Sequence, residues 1–406
     1  MLIYNIFLYL LYPLVLVRLA IYIFKNSLSL SYISHKLLNS KNIKKKSLWI
    51  HAASVGEMKI AIGLSQELLK NGYKDILITS NTPSSKYYFD NSQLKGVEHR
   101  YLPLDYYLLT KSFVNKISAK LLIVIETEVW PNLYNSCKNN GTKILIINGR
   151  FNAPKGILGI LSKNLYQKTL NNVEHVYTKS FKDKQNYERF LDETKVSNIG
   201  NIKYSFLSNK SNQKIIDRKY VLLASSHHRE EIIIIKEWLK LKSNKYLLVI
   251  VPRHPERLGD ILSDIPLSGI NIAIRSKNEK VRNSTQLYIA DTIGELESFI
   301  EYCEFTIFGG SFVDVGGHSF MEAAAKAKTI IVGPYMYNFI EETEEFLKNN
   351  ALIMCQKPIM LKNIFEKLFR SKSKREVFEK SAKKLVQEKS LIINDYLKLI
   401  DTHFRS

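Results

Sequence analysis

Short apolar runs alternate with segments of helical period along most of this 406-residue chain. Residues 47–50 and 75–79 read as buried strands, with a helix over 60–71 between them. Residues 121–125 and 143–148 repeat the pattern around a helical stretch at 131–140. Strand, helix, strand is the rhythm of a parallel sheet wrapped by helices, because parallel neighbours need a long crossover. The rhythm stops at 205–219, a polar run of Ser, Asn and Lys with the composition of a linker. It restarts with strands at 220–224, 247–251, 271–275, 286–289, 305–308 and 329–332, and a helix at 231–240. Residues 362–404 read as amphipathic helices with Lys and Glu on the wet face. The predicted fold class is α/β, with domains at 25–204 and 220–406 joined by the linker 205–219. A chain of this length supports two domains, and a cleft between two α/β halves is a favoured ligand site.

The first 24 residues differ in kind. From Leu2 to Phe24 the chain is almost continuously apolar, broken only by Asn5, Pro13 and Arg18. That length suffices to cross a bilayer, so 1–24 is predicted as a membrane-anchor helix, spanning or lying in the interface. A buried helix of the first domain is the competing reading. No basic leader or small-residue cleavage site marks a signal peptide. Lys25, Lys36, Lys41, Lys44, Lys45 and Lys46 follow. Positive charge on that side places the rest of the chain in the cytoplasm and draws it to an anionic inner-membrane surface.

Charge sharpens the picture. The formal net charge is +21, which suits anionic lipid, polyanionic substrates or nucleic acid. No arginine-rich run or aromatic RNA-binding signature appears, so nucleic acid is not expected as a partner. Cys137, Cys303 and Cys355 are scattered and odd in number, against a disulfide framework or a zinc cluster. No HExxH motif occurs, and no metal or other cofactor is expected.

Several motifs carry candidate chemistry. Residues 49–57, WIHAASVGE, run from a strand through a small-residue turn and deliver Glu57 at the head of a helix. Such a turn presents a group at the carboxyl edge of a sheet, although a first-turn Glu is equally a helix cap. Glu126 and Glu128 in IETEVWPN (125–132) stand two apart at a strand end, and on an extended chain they point the same way. Lys203 in GNIK (200–203) is a candidate positive charge or a plain solvated lysine. In the second half, Arg253 follows a strand in VPRHPER (251–257), placed to fork a phosphate or to lie in a loop stiffened by two prolines. DTIGEL (291–296) offers a close backbone approach at Gly294, or a capping box. Residues 308–322, FGGSFVDVGGHSFME, place two Gly-Gly pairs before a helix opening at Ser319 and Phe320. Glycines free backbone amides for a phosphate, and Glu322 suits a ribose diol.

Together these motifs resemble one family, the 3-deoxy-D-manno-octulosonic acid (Kdo) transferases of lipopolysaccharide assembly. The similar segments are HAASVGE (51–57), TSNTPSS (79–85), YLPLD (101–105), ETEVWPN (126–132), GNIK (200–203), SSHHREE (225–231), PRHPER (252–257), DTIGEL (291–296), GGSFVDVGGHSFMEAAA (309–325) and GPYMYNF (333–339). The resemblance implies a GT-B fold of two Rossmann-like domains facing a cleft. The first would bind the acceptor lipid IVA and the second the donor CMP-Kdo. It makes Glu57 the general base, with Glu128 and Lys203 stabilising the transition state. Pro252, Arg253, Ile293, Gly294, Glu295, Ser319, Phe320, Met321 and Glu322 then match the segments that contact CMP. Ser319-Phe320 departs from the family's usual Asn and apolar pair, and Ser84-Ser85 from its usual Thr-Gly.

The implied reaction is inverting: Glu57 takes the proton from a sugar hydroxyl, whose oxygen attacks the anomeric carbon as CMP departs. The implied location is the cytoplasmic face of the cell inner membrane. Two other functions fit parts of the pattern, a GT-B transferase using another nucleotide sugar and a non-catalytic basic membrane-bound scaffold.

Overall fold

A computed structural model describes residues 1–25, 30–38, 45–151, 156–207, 213–241, 245–265 and 269–406. The chain forms two compact units, Met1–Phe206 together with Leu391–Ser406, and Leu207–Ser390. Five residues of the predicted linker, 208–212, lie outside the described residues.

The first unit carries seven parallel strands: β1 (Leu48–His51), β2 (Ile76–Ser80), β3 (Val97–Tyr101), β4 (Leu121–Ile125), β5 (Lys143–Gly149), β6 (His175–Thr178) and β7 (Val196–Asn198). They lie in the order β3-β2-β1-β4-β5-β6-β7. Successive side chains face opposite sides, so Trp49, Leu122 and Val124 enter one core while Leu48, Ile50 and Ile123 enter the other. With both faces covered, the strands read as continuous apolar runs. Strand order reverses between β1 and β4, and the loops leaving neighbouring strands there diverge to open a crevice at their carboxyl ends. The turn after β1 leads into the helix Val55–Lys70, earlier than the predicted start at 60, because Ser54 caps it through a bond from the Glu57 amide.

The strand β3 escaped the sequence pattern because it lies at the sheet edge. Its Glu98 pairs with Arg100 and Lys46 at 2.6 and 2.9 Å, which replaces apolar periodicity with charge.

Two boundaries are corrected. The second domain does not run to 406. The helix Ile392–Arg405 buries Tyr396 and Ile400 in the first unit's core, and Tyr396 donates to the Gly200 carbonyl at 2.9 Å. Its stripe at spacing four was visible in sequence, but its partner was not. Full burial of each large apolar side chain contributes about 1.5–3 kcal/mol, which favours this docking. Nor is the N-terminal segment one helix. It forms Leu2–Leu10 and Tyr12–Lys25, bent by 56°. Pro13 lacks the amide that would continue the ladder, and is tolerated only in the first turn of the second helix. No single helix among the described residues is long and apolar enough to cross a membrane, although the bent pair passes by length and composition. The first helix is tied to the unit: Tyr4 donates to Asp105 at 2.9 Å and Tyr106 to the Leu8 carbonyl at 3.2 Å.

The second unit also has seven parallel strands: β8 (Tyr220–Ser226), β9 (Leu247–Pro252), β10 (Ile272–Ile274), β11 (Leu287–Ile289), β12 (Phe305–Phe308), β13 (Thr329–Val332) and β14 (Ile353–Met354). Their order is β10-β11-β9-β8-β12-β13-β14, with the reversal between β8 and β12. Leu223, Ile250, Phe305 and Ile307 pack with Trp238 and Phe365 of the covering helices.

Candidate functional site

In the first unit the reversal between β1 and β4 gathers the acidic motifs. Glu57 sits in the first turn of its helix, only 7% exposed. The Ala53 amide donates to its Oε2 at 2.7 Å and the Ser54 hydroxyl to its Oε1 at 2.8 Å. It is therefore a cap, as its local pattern allowed, but a buried one. Burial pushes its carboxyl above the ordinary carboxylate range, against the pull of the Ser54 and Ala53 donors, and the charge of Glu126 pushes the same way as burial. A raised carboxyl pKa makes the ionised form a better proton acceptor.

The expectation that Glu126 and Glu128 point the same way fails. Glu126 has a φ of +64°, in the left-handed region, so the chain turns instead of staying extended. The carboxylates diverge. Lys203 pairs with Glu126, not Glu128, at 2.6 Å, and the buried Asn148 amide also donates to Glu126 at 3.3 Å. Asn148 in turn accepts from the Ile202 amide at 3.1 Å, holding the Lys203 segment beside β5. Glu128 accepts from the Trp130 indole at 2.7 Å and the Asn81 amide at 3.2 Å. Burial pushes its carboxyl up, but the neighbouring His51, Trp130 and Lys36 outweigh this and hold it below its ordinary value.

Lys36 is not the solvated membrane-facing lysine the sequence suggests. It is buried and donates to Asn81 at 3.2 Å. Burial lowers its ammonium pKa to about 8, with Glu128 opposing the shift. Its position within a basic run concealed this. Lys41 and Lys44 lie outside the described residues.

The second unit gathers different groups at its own reversal. Gly309 passes so close to β8 that a Cβ would lie 2.3 Å from the Ser225 carbonyl oxygen. The glycine loop, however, does not leave its first amides open for a phosphate. Glu230, fully buried, accepts from the amides of Gly310, Ser311 and Phe312 at 2.7, 3.1 and 2.9 Å, and from His227 at 3.1 Å. The loop already contains its anion. Around it stand His227 and His318, whose Nε2 atoms are 2.7 Å apart, one ring donating to the other. Burial lowers both, His318 to about 4, and Arg253 and His254 add positive charge in the same direction. Pro252 ends β9 buried, and the Arg253 side chain is exposed beyond it.

The remaining residues matched to CMP contacts occupy varied places. Ile293 is 89% exposed, beside Gly294 with a φ of +91°. The Glu295 carboxylate is committed to Arg275 through bonds of 2.7 and 3.1 Å, which hold its pKa below the ordinary value against burial. The helix opens at Met321 with Phe320 as its cap, and the Ser319 hydroxyl lies 3.5 Å from the Glu322 carboxylate. The Phe320 ring is core, packed on Phe308 and Phe346, and Met321 is buried as well. Sequence reasoning overlooked Glu230, His318, Asn148 and His51. The matched segments at 225–231 and 309–325 contain Glu230, His227 and His318, but gave none of them a role.

Two parallel α/β units with their polar groups at the strand-order reversals have the architecture of the GT-B fold. In fold the chain is similar to the crystal structure of a glycosyltransferase from Rickettsia africae ESF-5, with a TM-score of 0.62 and 15% identity over 90% of this chain and 100% of that one. The family described as 3-Deoxy-D-manno-octulosonic-acid transferase (kdotransferase) matches residues 31–206. The 3-deoxy-D-manno-octulosonic acid transferase of Rickettsia bellii (strain RML369-C) is 30% identical over 371 residues, covering 88% of each protein. The protein of the same description from Haemophilus influenzae is 29% identical, covering 82% of this chain and 81% of that one. The chain belongs to the 3-deoxy-D-manno-octulosonic acid transferase family.

Proposed function

We propose that this protein transfers Kdo from CMP-Kdo to the lipid A precursor lipid IVA, with inversion, at the cytoplasmic face of the inner membrane. The observation that carries the reading is the seat of Glu57, buried with a raised carboxyl pKa at the reversal of the first unit's sheet, in a chain related to Kdo transferases through both units. Glu57 removes the proton from an acceptor hydroxyl. The freed oxygen forms a bond to the anomeric carbon of Kdo while the bond from that carbon to the CMP phosphate oxygen breaks. Lys203, held on Glu126, and Glu128, held by Trp130 and Asn81, fix the charge around the oxocarbenium-like centre.

In the second unit Arg253, beside His227 and His318, takes the phosphate and offsets charge on the departing CMP. Ile293, Gly294 and Glu322 lie on the nucleotide, with the Glu322 carboxylate on the ribose diol. Glu295, Pro252, Ser319, Phe320 and Met321 shape that surface from behind or through their backbone. The N-terminal pair supports membrane attachment: Ile3, Leu10, Leu14 and Phe24 are between 60 and 90% exposed, an apolar surface suited to the lipid interface.

Mass spectrometry of lipid IVA incubated with CMP-Kdo generated in situ tests the reading. One or more added Kdo units, with CMP but not UDP competing, support it. No addition by folded protein with lipid present overturns it, and competition by UDP points to another nucleotide sugar.

A further inference from the structure

The side chain of His51, at the carboxyl end of β1, is fully buried and has no part in the reaction described above. Its Nδ1 lies 2.9 Å from the Thr79 hydroxyl, which also accepts a bond of 2.8 Å from the Trp49 indole. Among the described residues its Nε2 has no hydrogen-bond partner, and it stands 3.7 Å from Oε2 of Glu128. A buried polar atom left unpaired is costly, and this one faces a carboxylate oxygen.

The inventory of donors fixes the tautomer. The Trp49 indole can only donate, so it occupies one lone pair of the Thr79 oxygen. If Nδ1 carried the proton, the Thr79 hydrogen would have no acceptor here and the bare Nε2 lone pair would face the Glu128 carboxylate. If the Thr79 hydroxyl donates to Nδ1, the Thr79 hydrogen is satisfied and the proton sits on Nε2, 3.7 Å from the Glu128 carboxylate, close enough to bond it after a small shift.

We propose that His51 is a positioning residue for Glu128: the relay Trp49, Thr79, His51 keeps a proton on Nε2, and that N–H fixes the orientation of the Glu128 carboxylate during transfer. The inference rests on the role given to Glu128 above. Among the described residues no hydrogen bond joins His51 to the helix cap on Glu57 or to the Lys203–Glu126 pair, so its contact is with Glu128.

The test is a double-mutant cycle on full-length protein, with His51→Leu and His51→Gln made alone and with Glu128→Gln. His51→Leu is expected to lower kcat by about 10- to 100-fold through misplacement of the carboxylate, with KM for CMP-Kdo within about twofold of wild type. His51→Gln keeps an amide N–H at a similar reach and restores most of the loss. In the Glu128→Gln background His51→Leu costs nothing further. Wild-type kcat in folded His51→Leu overturns the proposal, as does an equal loss in both backgrounds, which marks a purely structural residue. Wild-type turnover in Glu128→Gln overturns the Glu128 role itself and is recognised separately. Should His51→Leu fail to fold, nitrogen-15 NMR of histidine-labelled wild type reads the ring directly. A protonated Nε2 is expected, and a bare Nε2 overturns the relay.

Discussion

At the reversal of strand order the first unit gathers carboxylates, while the second gathers histidines, an arginine and backbone amides. The sheets are alike, each with seven parallel strands, and both reverse their strand order at the same topological place. What differs is how negative charge is handled. In the first unit Glu57 is buried with no cation paired to it among the described residues, and burial raises its proton affinity. In the second, Glu230 is buried deeper but spent on four amides, and it organises a loop beside His227, His318 and Arg253. In the function proposed above, one fold thus provides a proton acceptor in one copy and an anion-binding surface in the other, through the side chains that end its strands.

The sharpest way to break this contrast is at the proton acceptor. Glu57→Gln is expected to lower transfer by about 100- to 10,000-fold, the span of general base catalysis, in a rate assay under saturating donor. Phe320→Ala, in the second unit, should act on stability instead. It removes a buried ring and costs about 3–5 kcal/mol in denaturant unfolding, with CMP affinity unchanged below the transition. A weakened CMP affinity at unaltered stability would make Phe320 a contact residue after all. Glu230→Gln replaces one acceptor oxygen with a donor facing amides. A loss of about 1–3 kcal/mol is expected, accompanied by weaker CMP binding in calorimetry, because the loop loses its tie. Unchanged stability would mean the loop is held by other means.

The smallest effect sharpens the electrostatics of the first unit. Ser54 donates to Glu57 and so lowers its pKa against burial. In Ser54→Ala that opposition goes, and the carboxyl rises further. Transfer falls as pH drops through the base's pKa, so the acid limb should move to higher pH, with about 1 kcal/mol of stability lost from the helix cap. A limb that stays still or moves to lower pH would detach it from Glu57.

Much of this arrangement was legible in the sequence. The strands β1, β2, β4 and β5 announced themselves as apolar runs because both faces of the sheet are covered. Glu57 stood out because a strand and a small-residue turn precede it. What the sequence concealed was pairing across the fold. Nothing local in IETEVWPN says that Glu126 turns left-handed and takes Lys203, since that pairing depends on Asn148 on another strand holding the Ile202 amide. Lys36 looked like one lysine among several, and only its packing beside Asn81 and Glu128 separates it from its neighbours. The glycine loop invited a phosphate, yet the carboxylate that fills its amides comes from a helix some eighty residues earlier, at Glu230. The last helix showed its apolar stripe plainly, but a stripe does not name the core that receives it.

The most direct measurement combines two readouts on Glu57→Gln: Kdo transfer to lipid IVA across pH, and CMP affinity by calorimetry. The account predicts transfer reduced by about 100-fold or more with its acid limb abolished, while CMP binds as it does to wild type. Transfer at the wild-type rate with the same acid limb would contradict it, because the proton would then be taken by another group.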